Sequence, residues 1–312
     1  MKWNELIGPL QPVPASAGLA EWYAKVVSQA DTLPLSLALY GGRAAATPGL
    51  AFLAGYQAAL RALWPGAPQG LGAFCATENR KLRPADMETR IRAKQITGSK
   101  DFVTGGHEAS WLLVSAREEE GGEPIRLGMY SLRVGSSGVL LDAGRPLPLI
   151  SDIPHARLRL DQAEGARLAG DGWRDYVVPF RTFEDLYVLA ALSAWLYGVG
   201  LQRRWSKSLV LKLMAVGAGA AEVSRQLPHQ PGGHFLLAAL IEQFDALQPE
   251  LNCAFGAGDS LGDLWRRDSA LLGLAHEAKA RRLQKATAAL GLFAEEKAGH
   301  MVLGTPVGGR VL

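Results

Sequence analysis

The sequence has only two cysteines, Cys75 and Cys253. They lie far apart and neither has a partner at metal-ligand spacing, so a disulfide framework is excluded and a reducing compartment, the cytoplasm, is expected. Charge of one sign is also scarce. The 33 basic and 30 acidic residues leave a formal net charge of +3, and the basic residues are scattered, so no nucleic-acid groove is expected. A long apolar run is missing as well. The opening MKWNELIGPLQPVP has no continuous apolar segment, and longer apolar stretches elsewhere are broken by Gly, Arg or Lys, which argues against a signal peptide or a membrane span. No G-x-G-x-x-G follows a strand, and there is no Walker A loop and no G-x-S-x-G elbow. The six histidines, at 107, 155, 229, 234, 276 and 300, have no metal-binding spacing. Dinucleotide, P-loop, serine-hydrolase and metal chemistry are therefore set aside.

What is present is an ordinary globular balance, 48% hydrophobic and 20% charged, enough to bury a core. From Leu19 to Trp64, EWYAKVVSQA and PGLAFLAGYQAALRALWP place apolar residues three and four apart, as core-facing helices do. Pro65 and PGAPQG end that region. From about Ala73 the pattern changes to short runs, WLLVSA (111–116), RLGMYSLRV (126–134), GVLLDA (138–143) and ARLRLD (156–161), between Gly, Pro and Asp clusters. After Gly170-Asp171-Gly172-Trp173 the helical pattern returns. The stretch 186–201 is apolar on nearly all sides and belongs inside a bundle, and further helices are expected at about 207–226, 233–248 and 259–292, with turns marked by LPHQPGG and by NCAFGAGD (252–259). The expected fold class is α+β, with N-terminal helices (1–72), a small central β-domain (73–169) and a C-terminal helical bundle (170–312).

Three pieces of the β-domain agree in order and spacing: Thr77-Glu78, the segment Gly98-Ser99-Lys100-Asp101-Phe102-Val103-Thr104-Gly105-Gly106 read as a turn, and the strand Ala109 to Arg117. Together with GDGWRDYVVPFRTFEDLYVLAA at the start of the bundle, they resemble the acyl-CoA dehydrogenase family, in a shortened and divergent form. The resemblance implies FAD held between β-domain and bundle. It also implies α,β-dehydrogenation of an acyl-CoA thioester, a carboxylate base, an electron-transfer partner and a homodimer or homotetramer. The apolar helix 186–201 is read as supporting self-association.

The same resemblance marks Thr77, Phe102 and Thr104 as flavin contacts. Where the family has a Gly-rich turn with a CoA-binding serine, this chain has Asn79-Arg80-Lys81-Leu82-Arg83-Pro84, so Arg80, Lys81 and Arg83 become candidates for CoA phosphates. Two carboxylates compete as base. Glu277 follows the Arg267-Asp268 dipeptide at nearly the family spacing, although as Glu277/Arg281 it also reads as an i,i+4 surface pair. Asp185, with Glu184 one residue earlier, takes the alternative position on the first bundle helix. There Thr182 to Asp185 also has the spacing of a capping box, which would hold both acids at a helix N-terminus and keep their pKa low. The family's pyrophosphate-binding segments are not found; His229 to His234 resembles one in letters only. These gaps leave two alternatives to an acyl-CoA dehydrogenase: a non-catalytic partner subunit, and a flavoenzyme for a substrate without CoA.

Overall fold

The computed structural model describes residues 3–31, 33–119, 123–144 and 147–293. Four helices open the chain: α1 (Trp3–Ile7), α2 (Leu19–Gln29), α3 (Pro34–Ala44) and α4 (Pro48–Leu63). Both α3 and α4 begin on proline, whose fixed φ and missing N–H suit a first helical position, and the Thr47 hydroxyl caps α4 by accepting from the Leu50 amide at 3.1 Å.

Eight strands follow: β1 (Gly72–Cys75), β2 (Arg90–Arg92), β3 (Gln95–Thr104), β4 (Trp111–Arg117), β5 (Leu127–Arg133), β6 (Val139–Ala143), β7 (His155–Glu164) and β8 (Ala166–Arg167). They form one mixed sheet in the order β6-β7-β3-β2-β4-β5-β8, with β1 parallel to β4. The segment from Gly98 to Thr104, read from sequence as a turn, is most of β3. Its Thr104 pairs with His155 of β7, and the turn proper is the left-handed Gly105-Gly106 beyond it. The sheet has its own core, including Ile96, Val103, Leu112, Val114, Leu158 and Leu160.

A π-helical turn (Gly172–Val177), capped by the Asp171 carboxylate, leads into α5 (Val178–Gln202). Then come α6 (Lys207–Val223), α7 (Pro231–Asp245), α8 (Gln248–Phe255), α9 (Ser260–Asp268) and α10 (His276–Ala289). Helix α5 is buried by α3 and α4 on one side and α6 on another. The approach is close enough to require glycine: a Cβ at Gly42 would lie 2.1 Å from the Ala191 carbonyl oxygen, and one at Gly55 2.6 Å from that of Tyr187. N-terminal helices and bundle thus share a single core, running from Trp22 and Leu53 through Leu189 and Leu192 to Phe244 and Trp265. Its apolar surface is covered within one chain, so α5 carries no argument for self-association.

Three expectations need correction. The helix expected over 259–292 is broken: α9 ends at Asp268, a 3-10 turn (Ser269–Gly273) follows, and Ala275 takes a left-handed φ of 62° before α10. Helix α8 occupies residues that include Asn252 to Phe255, expected to be a turn. The capping box at Thr182 does not form, because α5 already begins at Val178, with Pro179 in its first turn. Thr182 is therefore inside the helix, where its hydroxyl is buried without a partner.

The matched β-domain motifs meet in space. Lys100 on β3 is sealed from solvent, and its ammonium lies 2.5 Å from Glu78 Oε1 and 3.0 Å from Ser115 Oγ. The other oxygen of Glu78 accepts from the amides of Glu88 and Thr89 at 2.6 and 3.1 Å. Breaking a buried pair by removing one partner strands the other charge. Lys100→Met is accordingly expected to destabilise the protein by about 3–5 kcal/mol, with Glu78→Gln added on top recovering part of it. Urea denaturation of both variants tests this; an unchanged midpoint for Lys100→Met would refute the lock.

Candidate active site

A cavity of about 540 Å³ lies between the sheet and the bundle, within the range of small-molecule sites. The β-domain lines it with Thr77, Phe102, Thr104 and His155, and α5 lines it with Glu184, Asp185 and Val188. Residues 147–150 and Leu271, Leu272 and Leu274 supply an apolar wall. A neighbouring vestibule of about 660 Å³ shares Phe102 and Leu147 with the cavity and is flanked by Arg80, Asp101 and Arg157.

The structure brings most of the sequence candidates together. Thr77 and Thr104 follow from strand geometry: Thr77 comes just after β1, and its carbonyl accepts from the Asp101 amide at 2.9 Å, which ties it to β3. The Thr77 hydroxyl forms no hydrogen bond to a described residue, and that of Thr104 lies beside the Tyr56 hydroxyl. Phe102 stands at the junction of cavity and vestibule with 41% of its surface exposed, so it is a wall residue rather than core. Arg80 lines the vestibule, and its amide donates to Asp101 at 2.7 Å. Lys81 instead lies 3.8 Å from Asp86 on the surface, and Arg83 is exposed and lines neither space.

The carboxylates separate clearly. Glu277 sits in the first turn of α10, exposed and 2.7 Å from Arg281, and does not line the cavity. Asp185 does line it, but its carboxylate is held 3.3 Å from Lys279 and bonded to Arg282. Glu184 makes no hydrogen bond or ion pair with a described residue. Burial, reinforced by the negative charge of Asp185 and opposed by Arg181, Lys279 and Arg282, pushes its carboxyl up to about 7. Sequence reasoning placed this residue one position from its candidate and expected a low pKa from the helix dipole. The overlooked signal was Val178-Pro179: proline at a first helical position starts α5 a turn earlier and takes Glu184 away from the N-terminus.

His155 was also missed as a wall residue. Its Nδ1 lies 2.9 Å from the Ile153 carbonyl oxygen, which can only accept, so the proton is on Nδ1. Burial holds the ring's pKa below its usual value. The neutral ring keeps the Nε2 lone pair, which has no partner among the described residues. Among those residues no cluster of His, Cys, Asp or Glu could hold a metal ion, and no helix is long and apolar enough to cross a membrane.

No family model matches the sequence, and comparison with curated proteins finds no match. Solved structures do match. FkbI, described as serving biosynthesis of the methoxymalonyl extender unit of the Fk520 polyketide, superposes with a TM-score of 0.62 at 16% identity, over 88% of this chain and 96% of that one. PigA, solved with FAD and proline, gives 0.59 at 12% identity, over 83% and 82%. Butyryl-CoA dehydrogenase from Megasphaera elsdenii gives 0.58 at 14% identity, over 82% and 80%. The chain has the acyl-CoA dehydrogenase fold. At such identities the likeness is one of fold alone, and the cavity described here rests on this chain's own residues.

Because Glu184 binds its proton more tightly folded than unfolded, its contribution favours the folded state below pH 4.5 and is lost as pH rises through about 7. Glu184→Gln removes this dependence and is expected to raise stability at pH 8 by on the order of 2 kcal/mol relative to wild type, with little change at pH 4. Denaturation at the two pH values checks it; equal effects at both would show that folding does not raise the Glu184 pKa.

Proposed function

We propose that the protein is an FAD-dependent dehydrogenase of the cytoplasm that desaturates an acyl-CoA thioester, with Glu184 as the base that removes the α-proton. The observation that carries this reading is an unpaired carboxyl, raised to about 7, lining the same cavity as Thr77, Thr104 and Phe102. The residues present fit a flavin ring. The Thr77 hydroxyl and His155 Nε2 are polar atoms on the β-domain wall without partners among the described residues, and the exposed Phe102 lines the same cavity. FAD, when bound there, supplies the hydride acceptor.

The protein's own part is positioning and proton transfer. Thr77 and Thr104 offer hydroxyls to the ring edge, and Phe102 covers it at the mouth. The apolar wall excludes water and holds an acyl chain against the carboxylate. Glu184 Oε1 or Oε2 then takes the α-proton, and a base poised near neutral pH is suited to that transfer. Lys279 and Arg282 keep Asp185 in an ion pair, so Asp185 orients cations rather than acting as base. Arg80 and Arg157 at the vestibule suit the phosphates of CoA. An electron-transfer partner and self-association as a dimer or tetramer belong to the same reading.

Purified protein is expected to bind FAD, and acyl-CoA is expected to bleach the flavin at a rate that rises with pH to a plateau above about 7. Glu184→Gln should slow bleaching by about 10²–10⁴-fold, whereas Glu277→Gln should leave it near wild type and Asp185→Asn should have the intermediate effect of a disturbed ion pair. Protein that takes up no FAD sinks the proposal. A second reading, a flavoenzyme for a substrate without CoA, is favoured by one observation: of Arg80, Lys81 and Arg83, only Arg80 lines the vestibule. FAD binding without acyl-CoA binding would select it.

A further inference from the structure

The dipeptide Arg267-Asp268 ends α9 and is used by neither the base nor the flavin contacts, yet Asp268 is buried to 1% exposure. Its Oδ1 accepts from the backbone amide of Ile150, 118 residues away in sequence, at 2.7 Å. Arg267 holds the same carboxylate with both arms of its guanidinium, Nε to Oδ1 at 2.7 Å and Nη2 to Oδ2 at 2.9 Å.

Ile150 has a φ of 45°, a conformation that a β-branched side chain adopts only when its surroundings force it. Residues 147–150 form part of the cavity's apolar wall. From Leu147 to Leu149 the backbone makes no hydrogen bond to a described residue, so the wall is tied down at Ile150. Just beyond, the Asp152 carboxylate takes the Thr47 hydroxyl at the start of α4, and Arg267 also faces Asp152. A segment of the β-domain that walls the cavity is thus strapped to the helical core.

We propose that Asp268, oriented by Arg267, is a positioning residue that sets the size of the substrate cavity: it holds the Ile150 peptide in its left-handed turn and so keeps the 147–150 wall pressed inward against the acyl chain. The proposal deepens the acyl-chain reading above and rests on it. Without the carboxylate the Ile150 amide has no acceptor, the turn relaxes, and the wall moves back. The cavity then admits longer chains, because each further methylene that fits changes binding by a sizeable factor.

The test compares wild type, Asp268→Ala and Asp268→Asn by amide hydrogen exchange at Ile150 and by calorimetric titration with butyryl-, octanoyl- and palmitoyl-CoA. In Asp268→Ala, Ile150 protection is expected to fall by about tenfold or more, and the palmitoyl-to-butyryl affinity ratio to rise by about tenfold. Asp268→Asn, which keeps an acceptor oxygen, should stay near wild type in both. Loss of protection with an unchanged affinity ratio overturns the proposal, as does a ratio shifted equally in Asp268→Asn. If wild type binds none of the thioesters, the proposed function fails separately. The clamp is then judged by exchange alone, and equal protection in wild type and Asp268→Ala overturns it.

Discussion

The ammonium of Lys100, sealed from water against the Glu78 carboxylate, locks together two stretches of chain that are otherwise joined only by exposed or backbone hydrogen bonds such as Asp101 N–H to the Thr77 carbonyl. Glu78 follows directly on Thr77, and Lys100 lies on the strand that carries Phe102 and Thr104. An isolated charge could not be left there, since burial alone pulls the Lys100 pKa down and Glu78 works against that pull. The pair is completed by Ser115 Oγ and by two backbone amides on the carboxylate, the arrangement in which a buried ion pair is tolerated. What it provides is geometry: Thr77, Phe102 and Thr104, which face the cavity from the β-domain, sit on the two segments that this cluster ties together.

The opposite wall depends on a different constraint. Helix α5 reaches the cavity because Gly42 and Gly55 let α3 and α4 touch its backbone, and a helix packed that closely has little freedom to rotate. The face turned toward the sheet is therefore fixed, and Glu184 and Val188, four residues apart, lie along it. Burial of Glu184 follows from the packing of the whole helix.

Much of this was legible in the sequence, for identifiable reasons. Strand runs such as Trp111 to Ala116 and the all-round apolar stretch in α5 are strong periodic signals, and the motif pieces around Thr77 and Thr104 kept the spacing that sheet geometry demands. What was not legible depended on tertiary packing or on backbone conformation that no pattern announces. Ala275 in a left-handed conformation splits what reads as one continuous helix, because alanine carries no turn signal. The capping box at Thr182 was a local pattern overridden by a stronger one upstream, the proline of Val178-Pro179. Glu277 had nearly the right sequence distance from Arg267-Asp268, but the turn between them gives Leu271, Leu272 and Leu274 to the cavity wall and leaves Glu277 exposed beyond it.

Glu184 and Asp185 are neighbours in sequence with opposite fates, and the difference shows how the site assigns its chemistry. Both are carboxylates on one helix turn, and both reach the cavity. Asp185 meets Lys279 and Arg282 from α10 and is neutralised as an ion pair. Its charge, kept in place by those cations, then helps to raise the pKa of Glu184, which has no cation in contact. The two carboxylates therefore divide by their contacts: one is tied into an ion pair, and the other is left unpaired in the cavity. Helix α10, whose Glu277 stays outside the cavity, thereby acts on Glu184 indirectly: by satisfying Asp185 it leaves Glu184 as the unpaired carboxyl in the cavity, raised to about 7.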